Sequence, residues 1–284
     1  MNTLKTGILL TFLTLLLVFI GRLIGGPAGM VTAFIIALIM NGVSYWFSDR
    51  IVLSMYHAKE VLPDDAPQLY QLVSGLAQKA NLPLPKIYII PNQTPNAFAT
   101  GRNPRHAAVA VTKGILNILD RDELEGVLAH ELSHVRNRDI LIGSMAATIA
   151  GAIFMLSYVA RFAVLFSGHS DSRNKGGGII GLLVVAIVAP IAAMLIQMAI
   201  SRSREYKADS SAGTLSGQPL ALAAALRKLH SMNKKIPIKV NPSTAHMFIV
   251  SPLSGGGVAN LFSTHPRVEN RIEALKRLNI DLQK

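Results

Sequence analysis

The chain has 284 residues, half of them apolar, carries a net charge of +12 and contains no cysteine. Without cysteine, disulfides, thiolate metal sites and cysteine nucleophiles are excluded, and any metal must be held by His and carboxylate side chains. The Lys and Arg residues are dispersed, with no basic run interleaved with aromatic residues, so the charge indicates a basic membrane protein and no nucleic-acid partner.

Four long apolar stretches predict transmembrane helices, because roughly 20 apolar residues are enough to cross the hydrocarbon core of a bilayer. The run Gly25-Gly26-Pro27 predicts a tight turn that joins the first two stretches into a hairpin. A cleaved signal peptide is the alternative for the first stretch, and buried core helices are the alternative for the last two. The stretches are residues 6–24, 28–47, 140–166 and 178–200.

The charges outside these stretches predict their orientation. An even number of spans places both chain ends on one side of the membrane, and most Lys and Arg residues lie on that side. The positive-inside tendency therefore predicts that this side is cytoplasmic. Spans nearly free of ionisable groups argue against an ion transporter. The predicted order is a transmembrane hairpin, a soluble part, a second hairpin and a second soluble part, at residues 1–48, 49–139, 140–200 and 201–284.

The soluble parts predict a mainly α fold with a small β-sheet. Apolar residues at helical spacing predict helices, and one helix has a capping box, Asp120 with Glu123, at its start. Runs rich in β-branched residues predict short strands. The predicted helices are residues 64–80, 120–139, 218–232 and 266–278, the last with proline at its first position, and the predicted strands are residues 86–90, 96–100 and 107–112.

The run His130-Glu131-Leu132-Ser133-His134 carries the chemistry. Two His side chains four residues apart on a helix lie on one face and can bind one Zn²⁺, each at roughly 2.0–2.1 Å. Glu131 beside them can take a proton from a zinc-bound water, whose pKa the metal lowers towards about 7. We interpret the run as a zinc site with Glu131 as general base. The alternative is a solvated helix with two incidental His residues.

Zinc needs a third protein ligand, and Glu205 is the best candidate further along the chain. Asp209, about one helical turn later, can accept a hydrogen bond from a ligand His. The alternative is an exposed Glu in a charged helix end. If unbroken helices join both ligands to the third and fourth spans, His134 and Glu205 lie roughly 9 Å and 7.5 Å from those spans. The sequence then predicts a metal site just above the membrane surface.

Two further features have two interpretations each. His265 precedes a predicted helix and is either structural or a donor to a developing oxyanion. Residues 236–264 form a Gly- and Pro-rich loop with scattered apolar residues, and a loop of that length is either disordered or functional. We expect part of this loop to lie over the cleft as a lid.

Together these motifs resemble the HtpX family of bacterial heat-shock membrane zinc metalloproteases, relatives of the CAAX prenyl proteases. The resemblance covers the whole chain. Its motifs are Asn96-Ala97-Phe98-Ala99-Thr100-Gly101, the run from His130 to His134, Arg204-Glu205-Tyr206-Lys207-Ala208-Asp209 and Ser263-Thr264-His265-Pro266.

The resemblance implies a cytoplasmic gluzincin-type metalloprotease domain with one zinc per chain. The implied ligands are His130, His134 and Glu205, with Glu131 as the base. The implied role is ATP-independent cleavage of unfolded or damaged proteins of the bacterial inner membrane. The alternative from another class is a non-catalytic zinc-binding membrane scaffold or regulator, which needs no base. The resemblance also implies that Asn96, Ala97, Phe98 and Ala99 form an edge strand, along which an extended substrate binds as an additional β-strand.

Overall fold

The computed structural model describes residues 2–150, 202–235, 244, 247–250 and 266–283. The predicted fourth span, most of the third, His265 and most of the predicted lid lie outside these residues. The described part is mainly helical with one small mixed sheet, as the sequence predicts. The elements are α1 (Asn2–Met55), β1 (Lys59–Glu60), α2 (Pro67–Lys79), β2 (Lys86–Ile90), β3 (Ala97–Gly101), a 3₁₀ turn (Pro104–His106), β4 (Ala107–Thr112), α3 (Lys113–Ile118), α4 (Arg121–Arg136), α5 (Ile140–Ala150), α6 (Arg202–Ser216), α7 (Pro219–Lys235) and α8 (Val268–Leu282).

Helix α1 consists of two arms that fold back on each other at Gly25 and Gly26. Both residues leave helical geometry, and Gly26 has a φ of 60°, a conformation that glycine adopts without steric cost. The Asn41 side-chain amide donates a hydrogen bond to Thr14 Oγ1 across the two arms, at 2.9 Å. The predicted turn between the first two apolar stretches is confirmed.

The second arm of α1, Gly25–Met55, is long and apolar enough to cross a membrane. Only 11% of its most apolar window is buried, which sets it apart from the core helix of a soluble domain. The apolar parts of the first arm and of α5 are shorter, at Thr6–Phe19 and Ile140–Ala150. The described residues therefore support one candidate membrane helix, and the other three spans stay predictions.

The sheet has the strand order β1-β2-β4-β3. Strands β2 and β4 run parallel, and β1 and β3 run antiparallel to their neighbours. All three predicted strands are confirmed, with β3 shifted by one residue to Ala97–Gly101. Among the described residues β3 pairs with β4 alone, so β3 is an edge strand.

Helix α4 is the central helix of the domain that contains the sheet. Its predicted capping box is confirmed, because Asp120 and Glu123 each accept a hydrogen bond from the other's backbone N–H, at 3.0 Å. Lys228 of α7 contacts Glu123 at 2.6 Å and ties α7 to the start of α4. The apolar face of α4, with Val127 and Leu128 fully buried, packs against α2, α7 and the sheet in one core.

Helix α4 ends at Arg136, three residues before its predicted end, so the condition of an unbroken helix from the metal motif into the third span is not met. Arg138 has a φ of 57°, the left-handed conformation that commonly closes a helix. The Asp139 N–H then donates to the His134 carbonyl at 2.9 Å, and a new helix begins at Ile140. This turn brings the Asp139 side chain back to His134.

Two helix starts also differ from the prediction. Helix α2 begins at Pro67 because proline fits the first helical turn, where its missing N–H is not needed. The preceding Asp65 is outside the helix and accepts a hydrogen bond from the Leu62 N–H. Helix α8 begins at Val268, since Arg267 has a ψ of 136°, and Pro266 therefore precedes the helix.

Gly114 in α3 supports the loop that leads into β3. A Cβ at this position would collide with the Gln93 carbonyl oxygen, which only a backbone shift can relieve. We expect Gly114→Ala to destabilise the domain by about 1–3 kcal/mol, as overpacking does, and to lower the thermal unfolding temperature in detergent. Gly75→Ala is the control, because a Cβ on Gly75 meets nothing within 4 Å. It should stabilise α2 by about 0.5–1 kcal/mol, and equal unfolding temperatures for the two variants would contradict the analysis.

Candidate metal centre

Three side chains from two helices converge on one point. His130 and His134 come from α4 and Glu205 from α6. The two His Nε2 atoms are 3.2 Å apart, and the Glu205 oxygens lie 3.7 Å from His130 Nε2 and 3.6 Å from His134 Nε2. A tetrahedral zinc ion with bonds of about 2.0–2.2 Å holds its ligand atoms about 3.3–3.6 Å apart. The described residues therefore contain a group that could hold one metal ion.

Each imidazole has a carboxylate beside its other nitrogen. His130 Nδ1 lies 2.9 Å from Asp209 Oδ1, and His134 Nδ1 lies 3.3 Å from Asp139 Oδ2. The His130 N–H is not aligned well enough for a hydrogen bond, so that contact is mainly electrostatic. These contacts assign the protons to Nδ1 and leave the Nε2 lone pairs facing Glu205. With the protons on Nδ1, the two Nε2 atoms and the Glu205 carboxylate face one another as lone-pair donors, an arrangement that fits a cation.

The charges around the group also favour a divalent ion. Within the described part, four carboxyl groups and two guanidinium groups surround it, which leaves two excess negative charges when all are ionised. A divalent cation would balance that excess. The six side chains are Glu131, Asp139, Glu205, Asp209, Arg204 and Arg271.

Arg271 of α8 is fully buried and holds Asp209 in place. Its Nε and Nη2 donate to the two Asp209 oxygens at 2.8 and 2.7 Å. Burial alone would raise the pKa of Asp209, but the charge and hydrogen bonds of Arg271 lower that pKa to about 2. Sequence reasoning missed Arg271, although a usable signal was present. It lies between Val268 and Leu275 on the apolar face of an amphipathic helix, where an unpaired charge would be costly.

Glu131 lies beside the three ligands and is 6% exposed. Burial raises the pKa of its carboxyl group, and the nearby His130 and His134 only partly oppose this. One carboxylate oxygen accepts a hydrogen bond from the Ala99 N–H of β3, at 2.9 Å. A carboxylate with a raised pKa, fixed by a backbone donor beside a metal group, can exchange protons with a nearby water.

The edge strand forms one wall of the cleft that contains the metal group. Phe98 and Ala99 line this cleft together with the three candidate ligands and Glu131. The backbone of Asn96, just before β3, makes three hydrogen bonds with Thr112: its N–H donates to the hydroxyl, and its carbonyl accepts from the hydroxyl and the N–H. The Asn96 side-chain oxygen accepts from the Ile249 N–H. The structure thus brings Phe98 and Ala99 together with the predicted ligands and Glu131 in one cleft, with Asp209 beside His130. Ala97 is fully buried in the main core, and His265 lies outside the described residues. Sequence reasoning missed Asp139, Arg204 and Arg271.

The sequence model of peptidase family M48 matches residues 63–279 of this chain. The chain belongs to peptidase family M48. Proteases described as HtpX homologs from Desulforapulum autotrophicum and Thermococcus kodakarensis are 57% and 56% identical to it. Each match covers 97% of this chain, and it covers 89% and 95% of the two relatives, respectively. The expected relationship to HtpX proteases is confirmed, and the chain is a metalloprotease.

The crystal structure of S. mikatae Ste24p is similar in fold, with a TM-score of 0.51 and 20% sequence identity. The match covers 94% of this chain and 62% of that one, so this M48 protein spans less than two thirds of the length of Ste24p. At this identity the likeness concerns the fold alone.

We expect Arg271→Lys to weaken metal binding about 10–100-fold, the range found when a group that orients a ligand is changed. Lysine keeps the charge but cannot make the paired hydrogen bonds to Asp209. Competition with a chelator of known affinity measures the change. Arg277→Lys is the control, because Arg277 lies on the same helix and is exposed, paired only with Glu273 among the described side chains. Equal metal affinities for both variants would mean that Arg271 does not act through Asp209.

Proposed function

We propose that this M48 protein is a multi-pass membrane zinc endopeptidase that cleaves misfolded or damaged membrane proteins without ATP. The observation that carries the proposal is the position of Glu131, buried beside three converging ligand atoms and fixed by the Ala99 N–H. A closed structural zinc site needs no such base, so this arrangement argues against a non-catalytic scaffold.

In this proposal His130, His134 and Glu205 hold one zinc ion per chain. The ion would supply Lewis-acid activation of a water and of the substrate carbonyl. Glu131 accepts the proton of the attacking water and returns it to the leaving nitrogen as the peptide bond breaks. Asp209 and Asp139 keep the two imidazoles in the tautomer and orientation that zinc binding needs. His265 is a candidate donor to the developing oxyanion, with a structural role as the alternative.

The edge strand supports the proposed breadth of substrates. An extended peptide can add to β3 through main-chain hydrogen bonds, which require little from its sequence. Asn96, Ala97, Phe98 and Ala99 are the residues proposed to bind it. Such binding suits unfolded segments, because folded proteins rarely present a free extended strand.

The proposed organisation has four spans, with the two parts of the catalytic domain at residues 49–139 and 201–284 on the cytoplasmic side of the bacterial inner membrane. The candidate membrane helix supports membrane attachment next to the cleft. Val52 and Leu53, at its end, share an apolar cluster with Phe98 of the edge strand. Substrates that emerge from the bilayer would therefore meet the cleft close to the membrane.

Glu131→Gln tests the chemistry. We expect hydrolysis of an unfolded protein substrate to fall by at least about 100-fold, because general-base catalysis contributes roughly 10²–10⁴. The zinc content should stay near one per chain, since Glu131 is not a ligand. Glu123→Gln is the control, because Glu123 is also a buried glutamate of α4 but lies in the capping box. Near-normal hydrolysis by Glu131→Gln would show that another group is the base.

The absence of cysteine makes the topology testable by labelling. We expect a single Cys in place of Lys276, an exposed residue of α8, to react with a membrane-impermeant maleimide only after spheroplasts are permeabilised. A single Cys in place of Asn174, between the third and fourth apolar stretches, should react in intact spheroplasts. Reversed or identical accessibility of the two positions would contradict the proposed orientation.

A further inference from the structure

Residues 247–250, here called the cleft segment, are held in the metal cleft through the backbone of one residue. The Asn96 side-chain oxygen accepts a hydrogen bond from the Ile249 N–H at 3.3 Å, and Arg271 Nη1 donates to the Ile249 carbonyl at 2.7 Å. The same Arg271 nitrogen lies 3.8 Å from Glu205 Oε2, a candidate metal ligand. Ile249 is therefore bound at both of its backbone groups directly beside the metal group.

The side chains of the cleft segment fill the cleft. Met247, Phe248 and Ile249 line the same cavity as the metal ligands and Glu131. Phe248, Ile249 and Val250 are each no more than 4% exposed. Met247 packs on the apolar cluster that contains Phe98 of the edge strand. The cleft segment thus contacts the strand proposed to bind substrate.

The cleft segment leaves little space between itself and the metal ligands. The cavity has a volume of about 80 Å³. Clefts that bind small molecules usually measure about 300–1,000 Å³, and each water takes about 30 Å³. A substrate residue can take the place between Asn96 and Arg271 only when Ile249 leaves it.

Departure of the cleft segment would leave two buried polar groups without their present partners. Asn96 is 2% exposed and Arg271 is fully buried. Water can solvate these groups in the open cleft, and an occupant with one N–H and one C=O at the same spacing regains both hydrogen bonds, each worth about 0.5–1.5 kcal/mol net. A single residue of an extended peptide meets that requirement.

We propose that Asn96 and Arg271 form a subsite for the backbone of one substrate residue with a branched aliphatic side chain, and that Ile249 of the cleft segment occupies this subsite in the resting enzyme. The proposal rests on the proposed peptidase function and adds a substrate preference and a latent state. Since the cleft segment and the substrate compete for the same two side chains, the apparent affinity for a peptide falls with the fraction of open molecules.

The test measures binding, so it does not depend on catalysis. The full-length, zinc-loaded Glu131→Gln protein is titrated with a fluorescent nonapeptide that has the sequence of residues 244–252. The same titration is made with Ile249→Ala and with Ile115→Ala added to that protein. Both isoleucines are buried in the main core, at 4% and 0% exposure, but only Ile249 lies in the cleft. A second nonapeptide has Asp in place of its Ile.

We expect the first peptide to bind Ile249→Ala at least about tenfold more tightly than the parent, because a minor open state is typically populated at 10% or less. The Ile115→Ala protein should bind the first peptide with the affinity of the parent. The Asp-containing peptide should bind the Ile249→Ala protein at least about tenfold more weakly than the first peptide does. Equal affinities for the parent and Ile249→Ala, or equal gains for both alanine variants, would overturn the proposal. So would equal binding of the two peptides.

Hydrolysis assays on the proteins that keep Glu131 separate the two proposals. If Ile249→Ala tightens peptide binding while none of these proteins cleaves any substrate, the subsite proposal stands and the proposed peptidase function is wrong. If hydrolysis occurs but the alanine variants bind peptide alike, the peptidase function stands and the cleft segment does not occupy the substrate subsite.

Discussion

The domain that contains the metal group is organised around three ligand atoms that converge on one point. His130 Nε2, His134 Nε2 and a Glu205 carboxylate lie within 4.8 Å of one another in a buried place. Buried negative charge is costly unless it is paired and hydrogen-bonded. Burial of the Glu205 carboxylate therefore favours positive charge and fixed partners close to it. Arg271, 3.8 Å from Glu205, is one such partner.

Those partners come from parts of the chain that are far apart in sequence. Arg271 joins α8 to Asp209 of α6, and Asp209 in turn contacts His130 of α4. Asp139 reaches His134 only because α4 closes at Arg138. The end of α4 is thus part of the metal site, since a continuous helix would carry Asp139 away from the imidazole. Removal of either partner of the Arg271–Asp209 pair would leave a buried charge, which is far more costly than loss of an exposed ion pair.

Local patterns in the sequence predicted the helices, the strands, the capping box and the hairpin turn, because each depends on residues within one or two turns of each other. The end of α4 was mispredicted, since Arg138 adopts a left-handed conformation that neither glycine nor proline signals. Arg271 could have been found as a charge on an apolar helix face. The contacts of Ile249 could not, because they require Asn96 and Arg271, which lie 153 and 22 residues away along the chain.

The end of the hairpin packs against the edge strand of the cleft and also belongs to the candidate membrane helix. The Arg102 guanidinium, just after β3, stacks over Trp46 at 4.7 Å, and the rings of Tyr56 and Phe98 lie 5.3 Å apart. Burial raises the pKa of the Tyr56 hydroxyl to about 12, so this side chain stays neutral in its apolar setting. Phe98 clusters with Ile90, Ala108 and Ala110 of the neighbouring strands, so the end of α1 packs on one face of the sheet. Met247 packs on the same cluster, so the end of α1, the edge strand and the cleft segment share one packing environment.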